Sequence, residues 1–183
     1  MKKTRFLGLA AGLVALLGSL GSTAILELSL DEIVVQTDQV VYGEIVENSV
    51  HKVVSADGET NYYTTLKVEG RLVGGSQDLI TVDIVYGGGF LNEEEGVWNS
   101  EAPSATETEV GKSIVAFYKW QDDFAGDGAN ALYNMHGGLF RTDVGPSGTV
   151  VLGRGKGYAV DRNLSLSDLD KEVQSIRSQK QNR

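Results

Sequence analysis

Cysteine is absent from this 183-residue sequence. That excludes thiol nucleophiles, thiolate metal sites, disulfides and lipid-modified cysteine anchors. Histidine is scarce: His51 and His136 lie far apart, and neither has a partner at metal-ligand spacing. No His-Glu-x-x-His or paired-histidine pattern occurs, which argues against a zinc site. Both histidines read as ordinary surface or strand residues. Proline occurs twice, at Pro103 and Pro146, so few positions bar extended pairing. Long apolar runs are missing as well. The best, Phe6 to Leu17, is broken by Gly8 and Gly12 and falls short of the ~20 apolar residues that cross a bilayer.

What that run does resemble is the core of an export signal. Lys2, Lys3 and Arg5 precede it, and small residues follow from Gly18 to Ala24. Residues 1–24 are therefore expected to be a signal peptide cut after Ala24, with residues 25–183 forming one domain. The expected location is secreted or periplasmic, with no stable membrane insertion after cleavage. The remaining 159 residues can bury enough surface to fold without disulfide or metal. Cleavage would remove three cations and no carboxylate, turning a net charge of −9 into −12. A surface so acidic repels phosphate backbones, so no nucleic-acid partner is expected.

The chain pattern is mainly β. Ser29 and Glu32 have capping-box spacing ahead of a short helix carrying Leu30, Ile33 and Val34. From Gln39 to Val54 β-formers dominate, with Gly43 where a bend would sit. Asp57-Gly58 marks a hairpin. The return strand, about Tyr62 to Leu72, alternates: Tyr62, Thr64, Leu66 and Val68 share one face. Leu79 to Tyr86 alternates likewise, with Ile80, Val82, Ile84 and Tyr86 inward. A connection of unusual length runs from Gly87 to Lys112, and loops of that length are commonly functional or mobile. Ser113 to Trp120 reads as a strand buried on both faces. Beyond a loop from Gln121 to Asn130, strand pieces are expected at Leu132–His136, Leu139–Asp143 and Thr149–Leu152. A closing amphipathic helix carries Leu166, Leu169, Val173 and Ile176 on one stripe, capped by Ser165 or Ser167. Short strands with glycine turns and helices only at the ends predict a small closed or partly open OB-like barrel, a β-sandwich being the alternative.

No motif carries an obvious reaction. Asp122, Asp123 and Asp127, with Gly126 and Gly128, could offer oxygens to calcium. Ala125 and Asn134 fall where an EF-hand needs ligands, however, so a solvated acidic loop is the default. Glu93-Glu94-Glu95 and Glu101 lie on one connection rather than across a cleft, so they make a poor glycosidase pair. Ser147 sits in Gly-Pro-Ser-Gly, which is not a nucleophile elbow. Gly153-Arg154-Gly155-Lys156-Gly157 lacks the Gly-Lys-Ser/Thr step into a helix of a phosphate loop and reads as a bent hairpin. No catalytic residue and no cofactor is expected. Trp98, in the long polar connection, is either a plug for the barrel mouth or a contact anchor, and the plug is the default.

The order of pieces also resembles a known group. Thr37-Asp38-Gln39-Val40-Val41-Tyr42-Gly43-Glu44-Ile45-Val46 is similar to an opening strand of the form A-D-x-V-V-x-G-x-V. Tyr62 to Gly70 with Leu72-Val73-Gly74-Gly75, then Ile80 to Gly89, resemble the second and third strands. Gly111-Lys112-Ser113-Ile114-Val115-Ala116-Phe117 resembles a G-E-x-x-x-x-F strand. Together these look like exported bacterial proteins of unassigned function and, more remotely, the netrin-like OB barrel of tissue inhibitors of metalloproteinases. The resemblance implies a barrel and a protein-binding habit. It carries over no inhibitory mechanism, because those inhibitors chelate zinc through an N-terminal cysteine. The expected function is thus a non-enzymatic binding module that recognises another exported protein, such as a protease, with Trp98 and Phe124 on the contact surface. The alternatives are a small-ligand or calcium-binding periplasmic protein and, with less support, a hydrolase.

Overall fold

The structure, a computed structural model, describes residues 26–181; the expected signal peptide lies outside the described residues. Elements follow in the order α1 (Leu30–Gln36), β1 (Gln39–Val54), β2 (Thr60–Leu72), β3 (Ile80–Gly87), β4 (Gly89–Phe90) and β5 (Gly96–Val97). Then come β6 (Ser113–Gln121), β7 (Ala129–Leu132), a 3-10 turn (Met135–Gly138), β8 (Leu139–Gly145), β9 (Gly148–Val151), β10 (Leu164–Ser165) and α2 (Leu166–Gln181).

Five strands close on themselves. β1 pairs with β2, β2 with β3, β3 with β7, β7 with β6, and β6 returns to β1. Every contact is antiparallel except β3–β7, which is parallel and meets at Val85 and Ala131. The result is a small, mixed, OB-like barrel, with β8, β9 and β10 extending the sheet outward from β6. Closure leaves the barrel without free sheet edges at most positions.

Closure requires β1 to bend sharply, and two glycines permit it. Gly43 faces Gly70 across the β1–β2 ladder. A Cβ on Gly70 would lie 2.0 Å from the Tyr42 carbonyl oxygen and 2.4 Å from the Gly43 Cα. The register then slips between Ile45 and Glu47, a bulge that adds twist where β1 leaves β6 behind.

Two apolar cores result, because β1 and β6 are buried on both faces. Val41, Ile45, Leu66, Val68, Ile84, Ile114, Ala116 and Leu139 fill the barrel. Val40, Val115, Phe117 and Phe140 point the other way, beneath α1 and α2, where they meet Ile33, Leu169 and Val173. That explains the unbroken apolar run in β6: alternate residues serve different cores. Ser29 caps α1 with the full capping box, and its hydroxyl accepts from the Glu32 amide. Ser165 caps α2, accepting from the Asp168 amide at 3.1 Å.

The structure differs from the sequence reading between β6 and β8. β7 begins at Ala129, within the expected loop, and the expected strand Leu132–His136 instead turns into the 3-10 segment. The cause is local. Asn134 and Met135 have φ of 56° and 50°, a left-handed conformation that ends extended pairing. The Asn134 amide is engaged elsewhere: it both donates to and accepts from the backbone of Leu26, each at 2.9 Å. The connection Gly87 to Lys112 is shaped too, by the small β4–β5 hairpin and by Ser104, whose hydroxyl and amide both donate to Glu107.

Candidate functional site

Tyr86 ends the inward row of β3 and is buried at the barrel mouth. Burial pushes its phenol pKa up, against the opposing effect of hydrogen bonds with Thr108 and Thr64. The Thr64 hydroxyl in turn donates to the Gly88 carbonyl at 2.7 Å. There the chain must leave the barrel while its backbone presses on β2. A Cβ on Gly89 would lie 2.5 Å from the Thr64 Oγ1, and φ there is +132°, so this part of the glycine triplet is needed for close approach.

The emerging β4–β5 hairpin is fixed at its tip and its base. Glu95 accepts from the Lys52 ammonium at 2.8 Å and from the Tyr62 hydroxyl at 3.2 Å. The hydrogen bond from Lys52, with that from Tyr62 and the Lys52 charge, holds the Glu95 carboxyl below its ordinary pKa. At the base, Asn99 donates to the Gly87 carbonyl at 3.0 Å and accepts from the Glu101 amide at 2.9 Å.

This frame decides where Trp98 goes. Ala102 and Met135, not Trp98, pack against the barrel's interior cluster. Trp98 is 75% exposed, which overturns its default reading as the plug. Ala102, four residues further along, and Met135 take that place instead, and the indole stays outside. Beside it lies a groove of about 600 Å³, lined among others by Tyr86, Phe90, Val97, Trp98 and Val110. A second depression, of about 500 Å³, lies between Trp98 and Phe124 with Tyr62 and Tyr63 in its wall. The two aromatic residues expected at the contact surface therefore share one recess. Phe124 is half-buried and meets Tyr63 edge-on at 5.0 Å, and His51 stacks on Tyr63 at 5.8 Å.

Asp122, Asp123 and Asp127 are all exposed. Asp122 accepts from the Trp120 indole N–H at 2.8 Å. Among the described residues no three acidic or histidine side chains form a group that could hold a metal ion, so the structure does not bring these aspartates together as a calcium set. Ser147 lies in the turn between β8 and β9. The glycine-rich Gly153–Gly157 stretch folds back on Val160 and Asp161 through amides of Arg154 and Gly155, each at 3.0 Å, as a bent hairpin would.

His136 is more engaged than its sequence suggests. Its Nδ1 lies 3.1 Å from the Glu101 carbonyl oxygen, which can only accept, so Nδ1 carries the proton. Nε2 lies 3.2 Å from the Tyr158 hydroxyl. Arg154 lies over the Tyr158 ring and ion-pairs with Glu107 at 2.5 Å. This network ties the long connection to the β7–β8 turn and to the segment after β9.

Sequence reasoning missed Phe90, Leu91, Val97 and Val110, all exposed. Their signal was present: apolar side chains in a connection with no periodicity to bury them. Among the described residues no helix is long and apolar enough to cross a membrane. No family model, no curated protein and no solved structure matches this chain.

Proposed function

We propose that this chain is an exported, non-enzymatic binding module that recognises another exported protein, such as a protease, through the groove around Trp98. One observation carries the reading. Among the described residues eleven large apolar side chains are exposed, and four of them (Phe90, Val97, Trp98 and Val110) line the same groove. Scattered exposed apolar residues are ordinary, whereas concentration in one recess marks an interaction surface. A tryptophan held on a framed hairpin supplies large contact area with little ordering cost. Phe124 extends that surface across the second depression. The likeness to exported bacterial proteins and to netrin-like OB barrels belongs to the same proposal, as does signal cleavage after Ala24. Cleavage is checked by the mass of the exported product, expected to begin at Ile25.

The test is affinity capture from the native envelope or medium with the wild-type chain, Trp98→Ala and Phe124→Ala side by side. A partner enriched on the wild type and lost on Trp98→Ala is expected. Equal enrichment on all three would exclude the groove as the contact surface. A small organic ligand is the second reading, favoured by a groove volume within the usual range for such sites. It predicts saturable heat in calorimetry with a native small-molecule extract, and that heat disappears in Trp98→Ala.

A further inference from the structure

Resting on the reading of the groove as a protein contact, we propose that its occupant is a peptide segment with one apolar anchor residue flanked by lysine or arginine. The apolar half of the argument is the recess itself. Phe90, Val97, Trp98 and Val110 surround it, and its floor offers Tyr86, held by Thr64 and Thr108. An aliphatic or aromatic side chain matches such a wall, because burying it there removes apolar surface from water.

The charged half comes from the rim. No lysine or arginine lines either depression, and the one carboxylate lining them is Glu109. Its neighbour Lys112 is 3.7 Å away, with both side chains more than half exposed, a pair that contributes little. Glu93 and Glu94 sit on the β4–β5 turn and belong to no ion pair among the described residues. Lys52, the cation placed at that hairpin, is already engaged by Glu95. Glu109 thus lines the recess, and Glu93 and Glu94 sit on the turn of the hairpin whose Phe90 and Val97 line it, on a chain of net charge −9. A cationic flank gains from that field, mainly in association rate and selectivity. A second copy of this chain does not fit: it would bring the same carboxylates and the same negative net charge to the interface.

The test uses the purified full chain and a random-peptide display library, selected in parallel on the wild type, Trp98→Ala and a Glu93→Gln/Glu94→Gln/Glu109→Gln variant. Circular dichroism and a melting curve establish that each variant folds. The expected result is a Trp98-dependent set of peptides with an apolar residue beside lysine or arginine. The glutamine variant should bind them about tenfold more weakly at low salt, and high salt should remove the difference. Trp98-dependent peptides that are neutral or acidic would overturn the cationic flank yet leave the groove as a contact site. Peptides enriched equally on the wild type and Trp98→Ala, or none enriched, would overturn both.

Discussion

At the residue scale, closure of the barrel depends on a backbone contact that tolerates no side chain. Gly70 has the Tyr42 carbonyl 2.0 Å from where a Cβ would sit. Gly70→Ala is expected to cost about 3 kcal/mol, because neither strand can move without opening the ladder. Gly58, with φ of +85° and nothing within 4 Å of a Cβ, provides the contrast. There the cost is conformational alone, about 1 kcal/mol. Urea midpoints of the two variants measure the difference, and equal losses would contradict the account of β1 bending.

Arg154 and Glu107 make a second residue-scale case. Burial opposes ionisation of Glu107, but hydrogen bonds from Ser104 and the charge of Arg154 outweigh it, so the carboxyl titrates below its ordinary value. A depressed folded pKa contributes stability that is present above the unfolded value, about 4.3, and is lost as pH falls through the folded one. Arg154→Gln should therefore cost about 2 kcal/mol at neutral pH. The gap to the wild type should narrow as the solution is acidified through the carboxylate range. It should not close, because Arg154 also donates to the Leu139 carbonyl at 2.9 and 3.0 Å. A gap independent of pH would show that the ion pair contributes nothing.

At the scale of elements, α2 covers a core distinct from the barrel interior. Leu169 and Val173 are fully buried beneath it, against Phe117 and Phe140 among others. Leu169→Ala should cost about 3 kcal/mol, measured by chemical denaturation, and should leave the groove on the far core untouched. These elements were legible before folding because period and capping agreed. Ser29 with Glu32 marked α1, the Leu166–Ile176 stripe marked α2, and alternation in β2 and β3 put Leu66, Val68 and Ile84 inside. What sequence could not show was set by long-range contacts. The stop at Asn134 depends on the distant backbone of Leu26. The exposure of Trp98 depends on Ala102 and Met135 taking the barrel mouth first. Phe90 and Val110 gained meaning only once folding set them around the same recess.

For the molecule as a whole, the fold separates support from surface. Two cores hold the sheet and helices, and the connection from β3 to β6 anchors itself through Ala102 and the buried Thr108 while leaving Phe90, Val97, Trp98 and Val110 exposed. Among the described residues no three carboxylate or histidine side chains converge as a metal site. Added calcium is expected to leave the melting temperature unchanged, because only a ligand that favours the native state raises it. A dose-dependent rise would restore Asp122, Asp123 and Asp127 as ligand candidates.

Trp98 is exposed, so its proposed contact role is checked by measuring the stability and the binding of Trp98→Ala together. The variant's stability should stay within about 0.5 kcal/mol of wild type. Its affinity for the captured partner should fall by about 2 kcal/mol or more, roughly thirtyfold. A variant that melts early, or that binds the partner as tightly as the wild type, would contradict the account.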